Sequence, residues 1–96
     1  MAQLQELILL LDRAAADPSQ LASAVKQFQS AVWNSDDRDL GGSEHVRRVL
    51  RALANDLDYY VADPIARAED PTYKGEDYAL REIRGALQTL RGAGAA

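Results

Sequence analysis

The stretch Ser43–Pro64, SEHVRRVLRALANDLDYYVADP, decides the fold. Val46, Leu50, Leu53, Leu57 and Tyr60 recur at alternating steps of four and three residues. That spacing is one face of an α-helix, with Val49 and Val61 flanking it. Ser43 stands where an N-cap belongs, and Asp63-Pro64 stops the helix or starts a short turn through Ile65–Ala68. The reading predicts one helix from Ser43 through Tyr60. Its end is chemically odd, since Asp56, Asp58 and Asp63 crowd around Tyr59 and Tyr60.

The same period recurs on either side. A first helix is expected over residues 3–16, with Leu4, Leu7, Ile8, Leu11 and Ala15 on one stripe. Asp17-Pro18-Ser19-Gln20 reads as the next helix start: Asp17 as N-cap, Pro18 in the first turn, Gln20 at the capping-box position. The second helix carries Leu21, Ala24, Val25, Phe28, Ala31 and Val32 and fades near Trp33-Asn34. NSDDRDLGG (34–42) reads as a polar loop closed by two glycines, and EDPTYKGED (69–77) as another. Leu80, Ile83, Leu87 and Leu90 mark a last helix. No segment alternates with period two and no internal repeat is present. Helices of roughly 15 residues, each ~22 Å long, predict an all-α fold, a compact antiparallel four-helix bundle. One domain is expected over 1–91, with a frayed tail at 92–96.

Composition narrows the chemistry. The chain has 96 residues, a net charge of −4, one histidine and no cysteine. Those numbers allow a single modest core and no disulfide framework, and they fit the cytoplasm. The apolar run Leu7–Leu11 follows no positive charge and is far short of the ~20 residues of a membrane span, so it reads as a core helix. Neither a membrane nor a nucleic acid is an expected partner of an acidic chain. His45 has no second histidine or cysteine with which to share a metal. DDRDLGG has the glycine of a calcium loop at its sixth position (Gly41) but Arg38 at its third, and no glutamate at its twelfth. Nothing supplies a nucleophile, a cleft or an oxyanion hole. A non-enzymatic protein is expected, with no cofactor, metal or small-molecule substrate.

Charge is distributed unevenly. Arg47, Arg48 and Arg51 form the one basic cluster, which reads as phosphate-contacting or as a solvated helix face. Residues 56–77 hold seven carboxylates against Arg67 and Lys74, a local charge of −5 that leaves +1 for the rest. On this reading the third helix is charged against its dipole, with arginines near its start and aspartates near its end. Local helix stability does not account for that arrangement. Two explanations stay open: an acidic segment that keeps the protein soluble, or a phosphate-like surface for a basic partner. The candidate partner-binding residues are Asp56, Asp58, Tyr59, Tyr60, Asp63, Glu69, Asp70, Glu76 and Asp77.

DLDYYVADP (56–64), followed after a loop by GEDYALREIRGAL (75–87), resembles the colicin D immunity protein family, the bacterial self-protective colicin-like immunity proteins. The resemblance is carried by Asp56, Asp58, Tyr60, Asp63, Pro64, Glu76, Asp77, Leu80 and Arg81. It covers roughly residues 50 to 90 by motif and the remainder by helix count. The resemblance implies a small four-helix inhibitor whose acidic face fills the basic active-site cleft of a cognate toxin nuclease, a tRNA-cleaving RNase in the best-known case. It further implies that Asp58, Asp63, Glu76 and Asp77 stand in for RNA phosphates, with Tyr60 shaping their support. The segment from Asp63 to Tyr73, with a second Asp-Pro at Asp70-Pro71, is longer than in the colicin D protein, which leaves the cognate partner open. The alternative is an acidic helical adaptor or regulatory domain that binds a basic protein segment unrelated to toxins.

Overall fold

Each long apolar stripe is a helix. The computed structural model describes residues 3–61 and 63–92, apart from the side chains of Gln3, Asp37 and Asp39. Its helices are α1 (Gln3–Ala16), α2 (Leu21–Trp33), α3 (Asp37–Leu40), α4 (Glu44–Asp56), α5 (Pro64–Arg67) and α6 (Glu76–Gly92). Short 3-10 turns at Pro18–Gln20 and Leu57–Tyr59 precede α2 and follow α4. Among the described residues there is no strand, only an isolated parallel bridge between Tyr60 and Lys74. Among the described residues no helix is long and apolar enough to cross a membrane. Of the tail expected at 92–96, Gly92 still belongs to α6, and the rest lies outside the described residues.

The four long helices close a ring: α1 packs on α2, α2 on α4, α4 on α6 and α6 on α1. Leu11, Leu21, Phe28, Leu50, Ile83 and Leu90 fill its centre with essentially no exposure. Each such side chain contributes roughly 1.5–3 kcal/mol by leaving water. No polar or charged side chain among the described residues is buried with them, so the interior of the ring is held by apolar burial. The helical class is as expected, but two polar contacts do not have the sense of a strictly antiparallel bundle. Arg91 in the last turn of α6 pairs with Asp12 in the C-terminal half of α1. Gln29 in the C-terminal half of α2 donates to the Ala54 carbonyl in the last turn of α4 at 3.0 Å.

Three local expectations are corrected. First, α4 ends at Asp56, and the chain continues as the 3-10 turn Leu57–Tyr59. Tyr60 N–H bonds to Leu57 O at 3.0 Å, and Tyr60 itself is extended. Second, the loop 34–42 contains α3, whose Leu40 is fully buried. Gly41 and Gly42 then turn the chain at φ 72° and 71°, a region glycine enters without strain. A Cβ on Gly42 would come within 3.2 Å of Leu4 and within 3.1 Å of Val46, so this turn also lets α1 approach α4. Third, Asp17 caps the Pro18–Gln20 turn, accepting from Ser19 N–H at 3.2 Å and from the Ser19 hydroxyl at 2.6 Å. The reciprocal half of a capping box is missing because Asp17 N–H already closes α1 on Arg13 O at 2.9 Å. Gln20 reaches the Asp17 carboxylate instead, at 3.3 Å. The Ser43 cap is as expected, with its hydroxyl accepting from Val46 N–H at 3.2 Å.

Ala14 takes the buried position on α1 beside the expected Ala15, which is only partly buried, and Leu9 within the apolar run points to solvent. The packing of Leu40 sets a test. Leu40→Ala should cost about 2–5 kcal/mol as a core truncation, whereas Asp17→Ala should cost ~1 kcal/mol as a lost cap. Urea denaturation of both variants measures this. A loss at Leu40 no larger than that at Asp17 would mean α3 is not part of the core.

Candidate functional site

The acidic segment is organised by a backbone bridge. Lys74 N–H donates to Tyr59 O at 2.7 Å and Val61 N–H donates to Lys74 O at 2.9 Å, which ties the end of α4 to the residues before α6. Tyr78, in the first turns of α6, adds a third tie, its hydroxyl donating to the Asp56 carbonyl at 3.2 Å. That bond satisfies one of the carbonyls left without a partner where α4 ends. Tyr60 packs half-buried against the core, as its place at the end of the apolar stripe predicts. Between the bridge partners the chain makes α5 and a turn at Asp70.

The carboxylates divide by role. Asp63 is the N-cap of α5 and accepts from Ile65 N–H at 3.0 Å. Asp70 accepts from both the backbone N–H and the hydroxyl of Thr72, each at 2.9 Å. Those two bonds, the backbone one first, hold its carboxyl below the ordinary 3.8. Glu76 and Asp77 occupy the first turn of α6, where the helix dipole favours acids. Local stability therefore accounts for four of the seven acids between residues 56 and 77, and not for those at the end of α4. Asp56 and Asp58 remain exposed at the end of α4 and in the turn beyond it, and Glu69 is exposed after α5. Among the described residues no cation lies within ion-pair distance of Asp56, Asp58, Glu69, Glu76 or Asp77.

The bridge brings Asp56, Tyr59, Tyr60, Glu76 and Tyr78 into one neighbourhood. Tyr60 titrates above its ordinary 10.0 because burial and then the nearby Glu76 charge disfavour the phenolate, with Arg67 opposing. Tyr78 is raised too, by burial first and then by Glu82, Asp56 and Tyr59, against Arg81. The Arg81 guanidinium lies 5.8 Å from the centre of the Tyr78 ring. Arg67 lines an open recess with Gly75, Glu76 and Asp77. It lies over Gly75 so closely that a Cβ there would meet its Nη1 at 1.9 Å. Asp63 and Asp70 are engaged in their own turns. Tyr78 and Glu82 belong to this neighbourhood; Tyr78 follows the Glu76-Asp77 pair in sequence, and Glu82 has no such signal.

Exposed apolar surface accompanies the charge. Tyr59 is 52 % exposed, Tyr73 40 % and Ile65 77 %. The bridge sets the backbones of 59 and 73–74 side by side, about one strand spacing (~4.8 Å) apart. The basic cluster on α4 is differently disposed. Arg48 pairs with Glu44 at 3.0 Å, and Arg47 donates to Gly42 O at 2.6 Å. Both contacts close the start of α4 and leave no bare phosphate-binding row. Among the described residues no three His, Asp or Glu side chains converge on a possible cation position. Compared with known protein families, with curated proteins and with solved structures, the chain matches none.

The raised tyrosines predict an alkaline loss of stability. Above pH 10.0 the unfolded chain loses these protons before the folded one does, so stability falls as pH rises through the folded values. Tyr60→Phe combined with Tyr78→Phe should flatten that fall between about pH 9 and about pH 11 in urea melts. At neutral pH, Tyr78→Phe alone should cost ~0.5–1.5 kcal/mol for its hydrogen bond to Asp56. An unchanged alkaline slope in the double variant would place the titrating groups elsewhere.

Proposed function

We propose that this chain is a cytoplasmic immunity protein. It binds the basic active-site cleft of a cognate bacterial toxin nuclease, an RNase domain, and blocks it with the acidic face between α4 and α6. The observation that supports this reading is the combination of carboxylates lacking a cation partner with exposed aromatic rings on one bridged segment. Asp56, Asp58, Glu76 and Asp77 supply negative potential, and none of them forms an ion pair among the described residues. Tyr59 and Tyr73 supply rigid, partly apolar area of the kind favoured in interface centres. A nuclease cleft is positively charged because it holds phosphates, and a carboxylate face presents it with the same charge and oxygen acceptors.

The roles of the acids differ on this reading. Asp56, Asp58 and Glu76 face the partner. Asp63 and Asp70 shape the backbone that presents them, and their remaining charge adds to the long-range field. Like charges gathered without a counter-ion repel one another in the free protein and are relieved when a cationic surface arrives. Complex formation therefore gains from a repulsion that folding leaves in place.

The partner to test is a toxin nuclease domain, sought in the genes that neighbour this one. Its association with the chain should slow as salt rises, since steering is screened over a Debye length of about 8 Å at physiological ionic strength. Asp56→Asn, Asp58→Asn and Glu76→Gln together should weaken binding by ~2 kcal/mol or more if even one pairs in a desolvated contact. Asp63→Asn keeps an N-cap, because Asn caps about as well as Asp, and should change stability little. Titration of the nuclease with each variant reads both affinity and inhibition. Equal affinity for the triple variant would reduce the acidic face to a solvated surface. Binding without inhibition would favour an acidic adaptor for a basic protein segment.

A further inference from the structure

Helix α1 has two faces, and only one is explained by the core. Leu7, Leu11 and Ala14 are buried inward. Glu6, Leu9, Leu10 and Arg13 follow at i, i+3, i+4 and i+7, the spacing of a second stripe. Leu9 is 61 % exposed on that stripe. Together with Gln27 and Ala31 of α2, these four side chains line a groove of about 350 Å³. Small Ala31 leaves the floor open where a larger residue would fill it. Glu6 and Arg13 suit the two ends of the α1 dipole, which accounts for their signs. It does not account for an exposed leucine held between them.

We infer that this stripe is a self-association surface, on which a second copy of the chain lays its own α1 antiparallel along the groove. The order of charges carries the inference. A two-fold axis crossing α1 between residues 9 and 10 places Glu6 against Arg13 of the second copy and Arg13 against its Glu6. The same axis places Leu9 against Leu10 of the second copy. The stripe is thus complementary to itself, as an isologous interface requires. Glu6 and Arg13 lie ~10.5 Å apart along one helix, too far to pair with each other, so each is available to the second copy. Asp12, the neighbouring acid, is already paired within the chain to Arg91.

The surface is independent of the function proposed above and does not obstruct it. Gln27 lies in the groove, whereas Gln29, two residues and ~200° around α2, bonds to Ala54 beside the acidic face. A dimer through α1 therefore leaves both acidic faces open. One helix stripe with its groove buries less than the ~1,200 Å² of a stable standard interface, so the association is weak and concentration-dependent.

Sedimentation velocity of the full chain from about 10 μM to about 1 mM tests the inference, a range matched to a weak interface. The wild type should shift from monomer towards dimer. Glu6→Arg and Arg13→Glu should each remain monomeric, because each sets like charges opposite one another at both ends. Mixed in equal amounts, those two variants should associate, since every contact in the mixed pair joins opposite charges. The double variant Glu6→Arg/Arg13→Glu should dimerise again. Circular dichroism and thermal melts of each variant check that it is folded. A wild type that stays monomeric at the top of the range overturns the proposal. So do single variants that dimerise like the wild type, or a mixture that fails to associate.

Discussion

Thirteen residues separate Tyr60 from Lys74, and bringing the ends of such a segment together costs about 2 kcal/mol of chain entropy before any constant term. The two backbone hydrogen bonds at the bridge contribute roughly 1 kcal/mol each and so do little more than cancel that cost. The closure holds because the intervening chain is not a free loop. Asp63 starts α5, and Asp70 fixes the turn at Thr72. Tyr78 fastens the start of α6 to the last carbonyl of α4. Every feature of the acidic face depends on this closure, since it places Tyr59 beside Tyr73 and Glu76 beside Tyr60. Part of the acidity is therefore structural. Carboxylates are good acceptors for the N–H groups that a sharp turn leaves without partners.

The helical class, the inward residues of the long helices and the caps at Asp17 and Ser43 were legible in the sequence, because apolar period and capping chemistry are local. The switch at Leu57 was not. In a 3-10 turn residues i and i+3 share a face, so Leu57 and Tyr60 keep the same apolar spacing whether the backbone is α or 3-10. What redirects the chain there is Lys74, far along the sequence. Leu40 was hidden for a related reason. A single apolar residue among polar ones has no period, and its burial follows from α3 packing on α1. Of the candidate site, the place of Tyr60 at the end of the apolar stripe was legible, and it is half-buried there. The roles of Tyr78 and Glu82 depend on the fold closing and had no local signature.

The reversed charge of α4 changes meaning once the helix is seen to stop at Asp56. Glu44 opens the helix with the favoured sign and pairs with Arg48, an exposed contact worth little in energy. Asp56 is then the one acid set against the dipole, at a cost of ~0.3–1 kcal/mol. The Tyr78 hydrogen bond to its carbonyl offsets part of that penalty at the same residue. Asp58 sits beyond the helix, where its charge meets repulsion from neighbours more than from the dipole. The residues with the least structural reason to be acidic, Asp56 and Asp58, are the ones the bridge holds beside exposed Tyr59.

On the proposed reading, charge and aromatic area act at different stages of binding. Carboxylates without a counter-ion project a field over about a Debye length, ~8 Å, which raises the encounter rate with a cationic surface but says little about which surface it is. Discrimination has to come from contacts that exist only after water is excluded. Tyr59 and Tyr73 can provide them because the bridge fixes their backbones, so little chain entropy remains to be lost on docking. The segment between them, residues 61 to 72, is also where substitution perturbs the core least, since its side chains are exposed or only partly buried wherever they are described. A chain built this way can change its partner through exposed side chains such as Ile65, while the Asp63 cap, the Asp70 turn and the bridge keep the steering charges in place.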